Sequence, residues 1–256
     1  MNLETHLNNV FEHLISNEAS SSITEEQLIK CIDLTLLKEN SSDEEFLELK
    51  HKAQSNKVAA ICVYTQYLPL FQPAAAYNLA TVVNFPQGRE QATGCLSQID
   101  QAIQLGANEI DYVFPFSAYL EGYKKQALDQ CIAITESCKK KSLTLKIILE
   151  TGAFPDMQKI YQVSGELISI GCNFLKTSTG KIAQGASLAA VFAILSAIKD
   201  SGASCGVKIS GGIKTVQQAR NYACLAELMM GKQIDKDWFR IGASSLLDEL
   251  LNSKFK

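Results

Sequence analysis

The sequence predicts an α/β protein, a (β/α)8 TIM barrel with an additional N-terminal helix, and three observations support this. Short apolar, strand-like runs alternate eight times with longer segments whose apolar residues fall on one helical face. Each strand and helix pair takes up about 30 residues, and the chain of 256 residues is close to the roughly 250 typical of such barrels. No Gly-x-Gly-x-x-Gly follows the first strand, which weakens the alternative of an open, doubly wound sheet.

At the start of the chain, Leu3, Leu7, Val10, Phe11, Leu14 and Ile15 recur at helical spacing. This predicts an amphipathic helix within an extension over 1–29 that packs against the end of the domain. The barrel is expected over 30–252, and 1–256 reads as a single domain. Strands are expected at 31–36, 58–64, 80–85, 109–114, 143–149, 173–177, 206–210 and 238–242. Helical patterns at 43–55, 89–105, 187–200 and 215–230 are long enough for right-handed crossovers between parallel strands. With 46% hydrophobic and 20% charged residues, a chain of this length buries roughly 75% of its unfolded surface around one core.

A formal charge of -3 leaves no basic footprint, and no Lys/Arg run is interleaved with aromatics, so nucleic acid is not an expected partner. No apolar run approaches the ~20 residues needed to cross a bilayer, and no export signal is recognisable, so no membrane partner is expected either. The eight cysteines form no C-x-x-C pair or zinc spacing and read as reduced, mostly buried thiols of a cytoplasmic protein. His6, His13 and His51 fall outside the strand ends, so no metal site is expected, and no cofactor is called for.

Barrel chemistry occurs at the C-terminal ends of the strands. The polar residues there are Asp33 and Thr35 on the first strand, Cys62 on the second, Asn84 after the third and Asp111 on the fourth. Lys146 and Glu150 follow on the fifth, Lys176 on the sixth and Lys208 on the seventh. An ammonium inside an apolar run is costly to bury and, unless paired, shifts toward the neutral amine that attacks carbonyl carbon. A second ammonium adds to that pressure, by ~3 kcal/mol at about 6 Å and an effective dielectric near 20. Lys208, one strand along from Lys176, is the expected neighbour. The bland reading is a buried ion layer of these lysines with Asp111, Glu150 and Asp33.

The turns after the lysine strands favour chemistry. Gly180-Lys181, Gly211-Gly212-Ile213-Lys214 and Gly242-Ala243-Ser244-Ser245 offer backbone N–H groups and ammonium groups suited to a phosphate. Ser178-Thr179-Gly180-Lys181 is not a P-loop, because Leu175 stands where that motif needs glycine and Ile182 follows the lysine. Asp111, inside an apolar strand, is the best proton carrier. Asp33 reads equally as a member of the same network or as a ligand of a substrate hydroxyl. Cys62 is expected to line the cavity without acting as a nucleophile.

In order along the chain, Cys31-Ile32-Asp33-Leu34-Thr35-Leu36-Leu37, Val82-Val83-Asn84-Phe85-Pro86, Glu109-Ile110-Asp111-Tyr112-Val113-Phe114-Pro115, the run from Phe174 through Lys181, the Lys208 strand and Phe239-Arg240-Ile241-Gly242-Ala243-Ser244-Ser245-Leu246-Leu247 resemble the deoxyribose-phosphate aldolases. These are class I, Schiff-base aldolases built on a (β/α)8 barrel. The resemblance implies a Schiff base on Lys176, pKa tuning and proton transfer by Lys208, and proton donation and acceptance by Asp111. It implies a phosphate surrounded by Gly180, Lys181, Gly211, Gly212, Lys214, Gly242, Ser244 and Ser245. From their places at the strand ends and in the turn, Asp33, Thr35, Cys62 and Thr179 are also expected at the substrate.

The implied reaction is reversible cleavage of 2-deoxy-D-ribose 5-phosphate to D-glyceraldehyde 3-phosphate and acetaldehyde. Small phosphorylated sugars and aldehydes are the implied partners, and a homodimer is the assembly considered. The chain departs from the family in two ways. Ile209-Ser210-Gly211-Gly212 stands where the family often reads Pro-Ala-Gly-Gly, and the tail Ser253-Lys254-Phe255-Lys256 lacks the tyrosine that some members use for proton transfer. The second departure leaves water held by Asp111 and Lys208 as the relay. Two competing readings stay open: another class I sugar-phosphate aldolase or a transaldolase-like or isomerase barrel, and a non-catalytic sugar-phosphate binding protein.

Overall fold

The computed structural model describes residues 3–17 and 23–253; the tail at 254–256 lies outside the described residues. The strands are β1 (Ile32–Leu36), β2 (Ala60–Val63), β3 (Asn78–Val83), β4 (Glu109–Val113), β5 (Thr144–Ile148), β6 (Phe174–Lys176), β7 (Gly206–Ser210) and β8 (Phe239–Ala243). All are parallel and pair in chain order, and β8 returns to β1 with Ile32 opposite Ile241, closing the barrel. This is the expected (β/α)8 architecture.

The helices are α1 (Leu3–Asn17), α2 (Glu25–Lys30), α3 (Asp43–Asn56), α4 (Ala92–Gln104), α5 (Phe116–Leu120), α6 (Lys124–Lys140), α7 (Met157–Ile170), α8 (Leu188–Ser201), α9 (Val216–Met230) and α10 (Leu246–Ser253). Their ends follow local chemistry. Thr24, Ser42 and Thr215 open α2, α3 and α9 with reciprocal capping boxes, satisfying amides that the helices leave unpaired. Gly171, Gly202 and Gly231 close α7, α8 and α9 in the left-handed conformation that costs glycine least.

Strand residues alternate between two environments. One set, including Ile61, Leu79, Ile110, Tyr112, Leu145, Ile147, Leu175, Val207, Ile209, Phe239 and Ile241, joins the large core shared with the helices. The other set faces the barrel axis and is divided by chemistry. On β2 and β3 it is small and apolar, with Ala60, Cys62, Ala80 and Val82 forming a separate cluster. On β1 and from β4 to β8 it carries the charged residues Asp33, Glu109, Asp111, Lys146, Lys176, Lys208 and Arg240, all buried. This departs from the usual aliphatic filling of such a barrel.

The N-terminal helix is present as expected, and Leu7 and Val10 are buried in the main core. Its position explains the composition of α8, which is buried continuously from Ala190 to Ile198. A helix apolar all round needs cover on its outer side. His6 of α1 supplies part of that cover, packing edge-on against Phe192 with ring centroids 5.2 Å apart.

Candidate active site

The register of β4 to β8 brings the charged residues together. Asp111 stands opposite Lys146, Lys176 opposite Lys208, and Lys208 opposite Arg240. Lys176 and Lys208 both donate from Nζ to the same oxygen, Asp111 Oδ2, each at 2.7 Å. Lys146 Nζ donates to Asp111 Oδ1 at 2.9 Å and lies 2.5 Å from Glu109 Oε2 and 3.5 Å from Asp33 Oδ2. Lys208 is also 2.6 Å from Asp33 Oδ2. Arg240 closes the network, reaching Asp33 Oδ1 at 2.6 Å and Glu109 Oε1 at 3.2 Å. The buried ion layer of the bland reading is therefore real, with Glu109 where Glu150 was expected.

Four cationic side chains, Lys146, Lys176, Lys208 and Arg240, meet three carboxylates, Asp33, Glu109 and Asp111. One positive charge is unmatched, and in a dry interior the layer is relieved by losing one proton. Of the four cations, Lys176 is the lysine whose proton is held less firmly than usual. Burial pushes its ammonium down; Asp111 opposes the shift and Lys208 reinforces it, with a net result below the ordinary lysine value. Burial acts the same way on Lys208 and Lys146, but Asp111 and Asp33 beside Lys208, and Asp111, Glu109 and Asp33 beside Lys146, hold both above the ordinary value. Asp111 and Asp33 resist the upward push of burial because the lysines, and for Asp33 also Arg240, keep them ionised well below the usual carboxylate range.

At the C-terminal ends of the strands this layer borders a cleft of about 260 Å³. Lys176 lines it, 2% exposed, whereas Lys146 and Lys208 are fully buried. Thr35, Thr179, Gly180, Lys181, Gly211, Gly212, Lys214, Gly242 and Ser244 line it as well, so most of the expected ligand residues come together around the Lys176 amine. Lys181 donates from Nζ to the Leu37 carbonyl at 2.7 Å, which ties the 178–181 turn to the end of β1. Thr179 is buried and bonded to Glu150 through both its N–H, at 3.2 Å, and its hydroxyl. Glu150 has a left-handed backbone, φ 59°, and burial raises its carboxyl above the ordinary value despite those bonds.

Glycine is required at two of these positions. Gly211 has φ 93°, and a Cβ there would meet the Gly185 Cα at 3.0 Å. At Gly242 a Cβ would lie 3.0 Å from Ser210 Cβ and 3.1 Å from Lys208 Cε, so the missing side chain is the space in which Lys208 extends.

Besides Lys208, four expected residues lie off the cleft wall. Asp33 and Asp111 are fully buried beneath it within the ion layer. Cys62, expected to line the cavity, is likewise enclosed, because its β2 side chain turns into the barrel interior. Burial, and then Asp111, push its thiol up to about 11, so it is a neutral packing group. Ser245 is exposed beside Ser244, just before α10. Asn84 holds a turn, donating to the Val113 carbonyl at 2.8 Å and accepting from Glu90 N–H at 2.7 Å.

Sequence reasoning overlooked Glu109 and Arg240 as site residues, although each is a charge inside an apolar strand, the signal that singled out Lys176. It also passed over Lys38 and Ser210, which line the cleft.

A family model for DeoC/LacD family aldolases matches residues 27–251. The chain belongs to the DeoC/LacD family of aldolases. Among solved structures, this aldolase is similar to QR15, an aldolase, at 27% identity and TM-score 0.76, over 89% of this chain and 97% of that one. It shares its fold with a putative deoxyribose-phosphate aldolase from Coccidioides immitis at 21% identity and TM-score 0.81, over 99% and 98% of the two chains. The same fold recurs in the tetrameric deoxyribose phosphate aldolase from Aeropyrum pernix, at 24% identity and TM-score 0.77, over 97% and 98%. Among the described residues of this aldolase, no helix is long and apolar enough to cross a membrane.

Proposed function

We propose that this aldolase cleaves 2-deoxy-D-ribose 5-phosphate reversibly to D-glyceraldehyde 3-phosphate and acetaldehyde through a Schiff base on Lys176. The observation that carries the reading is a buried lysine, held below its ordinary pKa, that opens from a cation-rich layer into a cleft walled by glycine turns and by Lys181 and Lys214. The neutral amine attacks the C1 carbonyl, and loss of water from the carbinolamine gives an iminium. The C2–C3 bond then breaks: its electrons pass to C2 and the iminium to form an enamine, while the C3 hydroxyl proton leaves to water in the cleft, above the Lys208–Asp111 pair. Glyceraldehyde 3-phosphate departs. Protonation of the enamine at C2 by the same relay and hydrolysis of the resulting iminium release acetaldehyde and restore the amine.

The ion layer gives this cycle a steady electrostatic frame. Asp111 accepts hydrogen bonds from both lysines, so it stabilises a cation at either position, and Lys208 holds a proton beside the nitrogen that must gain and lose one. Backbone N–H groups of the glycine turns, with Lys214 at the rim, suit the phosphate.

The test is borohydride reduction in the presence of acetaldehyde or the sugar phosphate, followed by peptide mass mapping. A reduced adduct on Lys176 is expected, and its absence overturns the reading. Product analysis with several phosphorylated sugars separates the proposed substrate from those of other class I aldolases.

A further inference from the structure

The ion layer extends to the opposite end of the barrel. Glu109 and Arg240 line a second cavity, of about 280 Å³, at the N-terminal ends of the strands, together with Asn78, Asn173 and Phe174. Neither residue lines the cleft that Lys176 opens into. Both are nonetheless joined to Lys176 by an unbroken run of buried ion pairs. From Glu109 the run passes through Lys146 and Asp111, with contacts of 2.5, 2.9 and 2.7 Å. From Arg240 it passes through Asp33, Lys208 and Asp111, with contacts of 2.6, 2.6, 2.7 and 2.7 Å.

We propose that Glu109 and Arg240 are positioning residues that act from the N-terminal mouth of the barrel, through the ion layer and with opposite sign, to set how readily the Lys176 amine gives up its proton. The inference deepens the Schiff-base reading and rests on it.

Lys176 is faced by Asp111 from β4, Lys208 from β7, the neutral thiol of Cys62 from β2, and Glu150 just past β5, whose carboxyl is committed to Thr179. Lys146 is faced by Asp33 from β1 and by Glu109 and Asp111 from β4. Arg240 is faced by Asp33 and Glu109, by the Lys236 carbonyl and by the Phe174 ring, with Lys232 and Asp237 also on the wall of the lower cavity.

In this setting the two remote charges push in opposite directions. Removing the Glu109 carboxylate leaves Lys146 paired with Asp111 and Asp33, so Lys146 stays an ammonium and the layer becomes more positive. Lys176 then sheds its proton at lower pH. Removing the Arg240 cation cancels the layer's surplus charge and frees Asp33 to draw on Lys208, so Lys176 keeps its proton to higher pH. The contacts along the two runs, with the carboxylates they cross, cap the separations at about 10 to 13 Å, and at that range and an effective dielectric near 20 a charge changes the neutral fraction of the amine on the order of tenfold.

The variants are Glu109→Gln, Arg240→Met and the double substitution, with Arg240→Lys as the charge-conserving control, each checked for its fold by circular dichroism. The readouts are the pH profile of kcat/KM and the pH dependence of borohydride-trapped acetaldehyde on Lys176, the second of which needs no turnover. Glu109→Gln is expected to shift the acid limb of both profiles to lower pH, raising the signal on that limb about tenfold. Arg240→Met is expected to shift it to higher pH and lower the signal by a similar factor, with the double variant between the two and Arg240→Lys close to wild type.

Shifts in the same sense, or no shift beside an intact wild-type adduct, overturn the inference alone. No adduct in the wild type overturns the Schiff-base reading instead. If Arg240→Met does not fold, Glu109→Gln decides: an acid limb that stays in place or moves to higher pH refutes the proposal.

Discussion

Replacing Lys208 with methionine isolates the effect of a second ammonium on Lys176. Both Nζ atoms lie 2.7 Å from Asp111 Oδ2, so they are no farther apart than about 5.4 Å, the sum of those contacts. At an effective dielectric near 20 their repulsion is ~3 kcal/mol, which corresponds to about a hundredfold in the neutral fraction of the Lys176 amine. The substitution also leaves Asp111 with one competitor fewer for its Oδ2, which favours the Lys176 ammonium further. The layer then holds three cations and three carboxylates, so the fold should tolerate the change. The expected outcome is a kcat/KM lowered about a hundredfold near neutral pH, with the acid limb of its profile moved to higher pH and activity partly recovered in alkali. Steady-state kinetics from pH 5 to 10, with an unfolding curve as control, supply the measurement. A variant that loses activity by the same factor at every pH would refute the electrostatic coupling and leave Lys208 with a role in proton transfer alone.

Gly242→Ala should lower kcat more than it raises KM, because the new methyl meets Lys208 Cε at 3.1 Å and displaces the amine without occupying the rest of the cleft; equal loss in both constants would argue otherwise. Lys214→Ala, an exposed position on the cleft wall, should raise KM for a phosphorylated substrate about tenfold and leave an unphosphorylated aldehyde unaffected, as kinetics with paired substrates would reveal. Asp33 and Asp111 have folded-state pKa values below their unfolded ones, so their contribution to stability is complete above about pH 4 and declines as the pH falls below it. Denaturant unfolding from pH 2 to 7 should show that loss, and Asp33→Asn should weaken it. Deleting residues 1–22 removes the burial of Leu7 and Val10 and uncovers α8, costing a few kcal/mol and promoting association, to be read by thermal unfolding and light scattering.

The barrel was legible because each strand is a short apolar run between amphipathic segments, and all eight expected strands overlap the observed ones. Lys176 and Lys208 stood out because an ammonium in such a run has no surface explanation. Which carboxylate meets which lysine was not legible, since that depends on the stagger between neighbouring strands rather than on any one segment. Glu150 shows the difficulty: a left-handed residue just past β5 turns its carboxyl to Thr179, while Glu109, two residues before Asp111, points along the same face into the layer. Cys62 was misjudged for a related reason, because lying on the axis of a barrel is not the same as reaching its mouth. The balance of four cations to three anions emerges only when six strands are brought together.

Lys176 and Lys208 are register partners on adjacent parallel strands, whereas the groups suited to the phosphate sit on the turns beyond. In the proposed cycle, reactivity is thus anchored in hydrogen-bonded sheet, and recognition is delegated to segments that can be rewritten. An engineer seeking a new acceptor aldehyde has reason to diversify 178–181, 211–214 and 242–245, sparing the glycines whose shape the scaffold demands, and to leave the interior charges untouched.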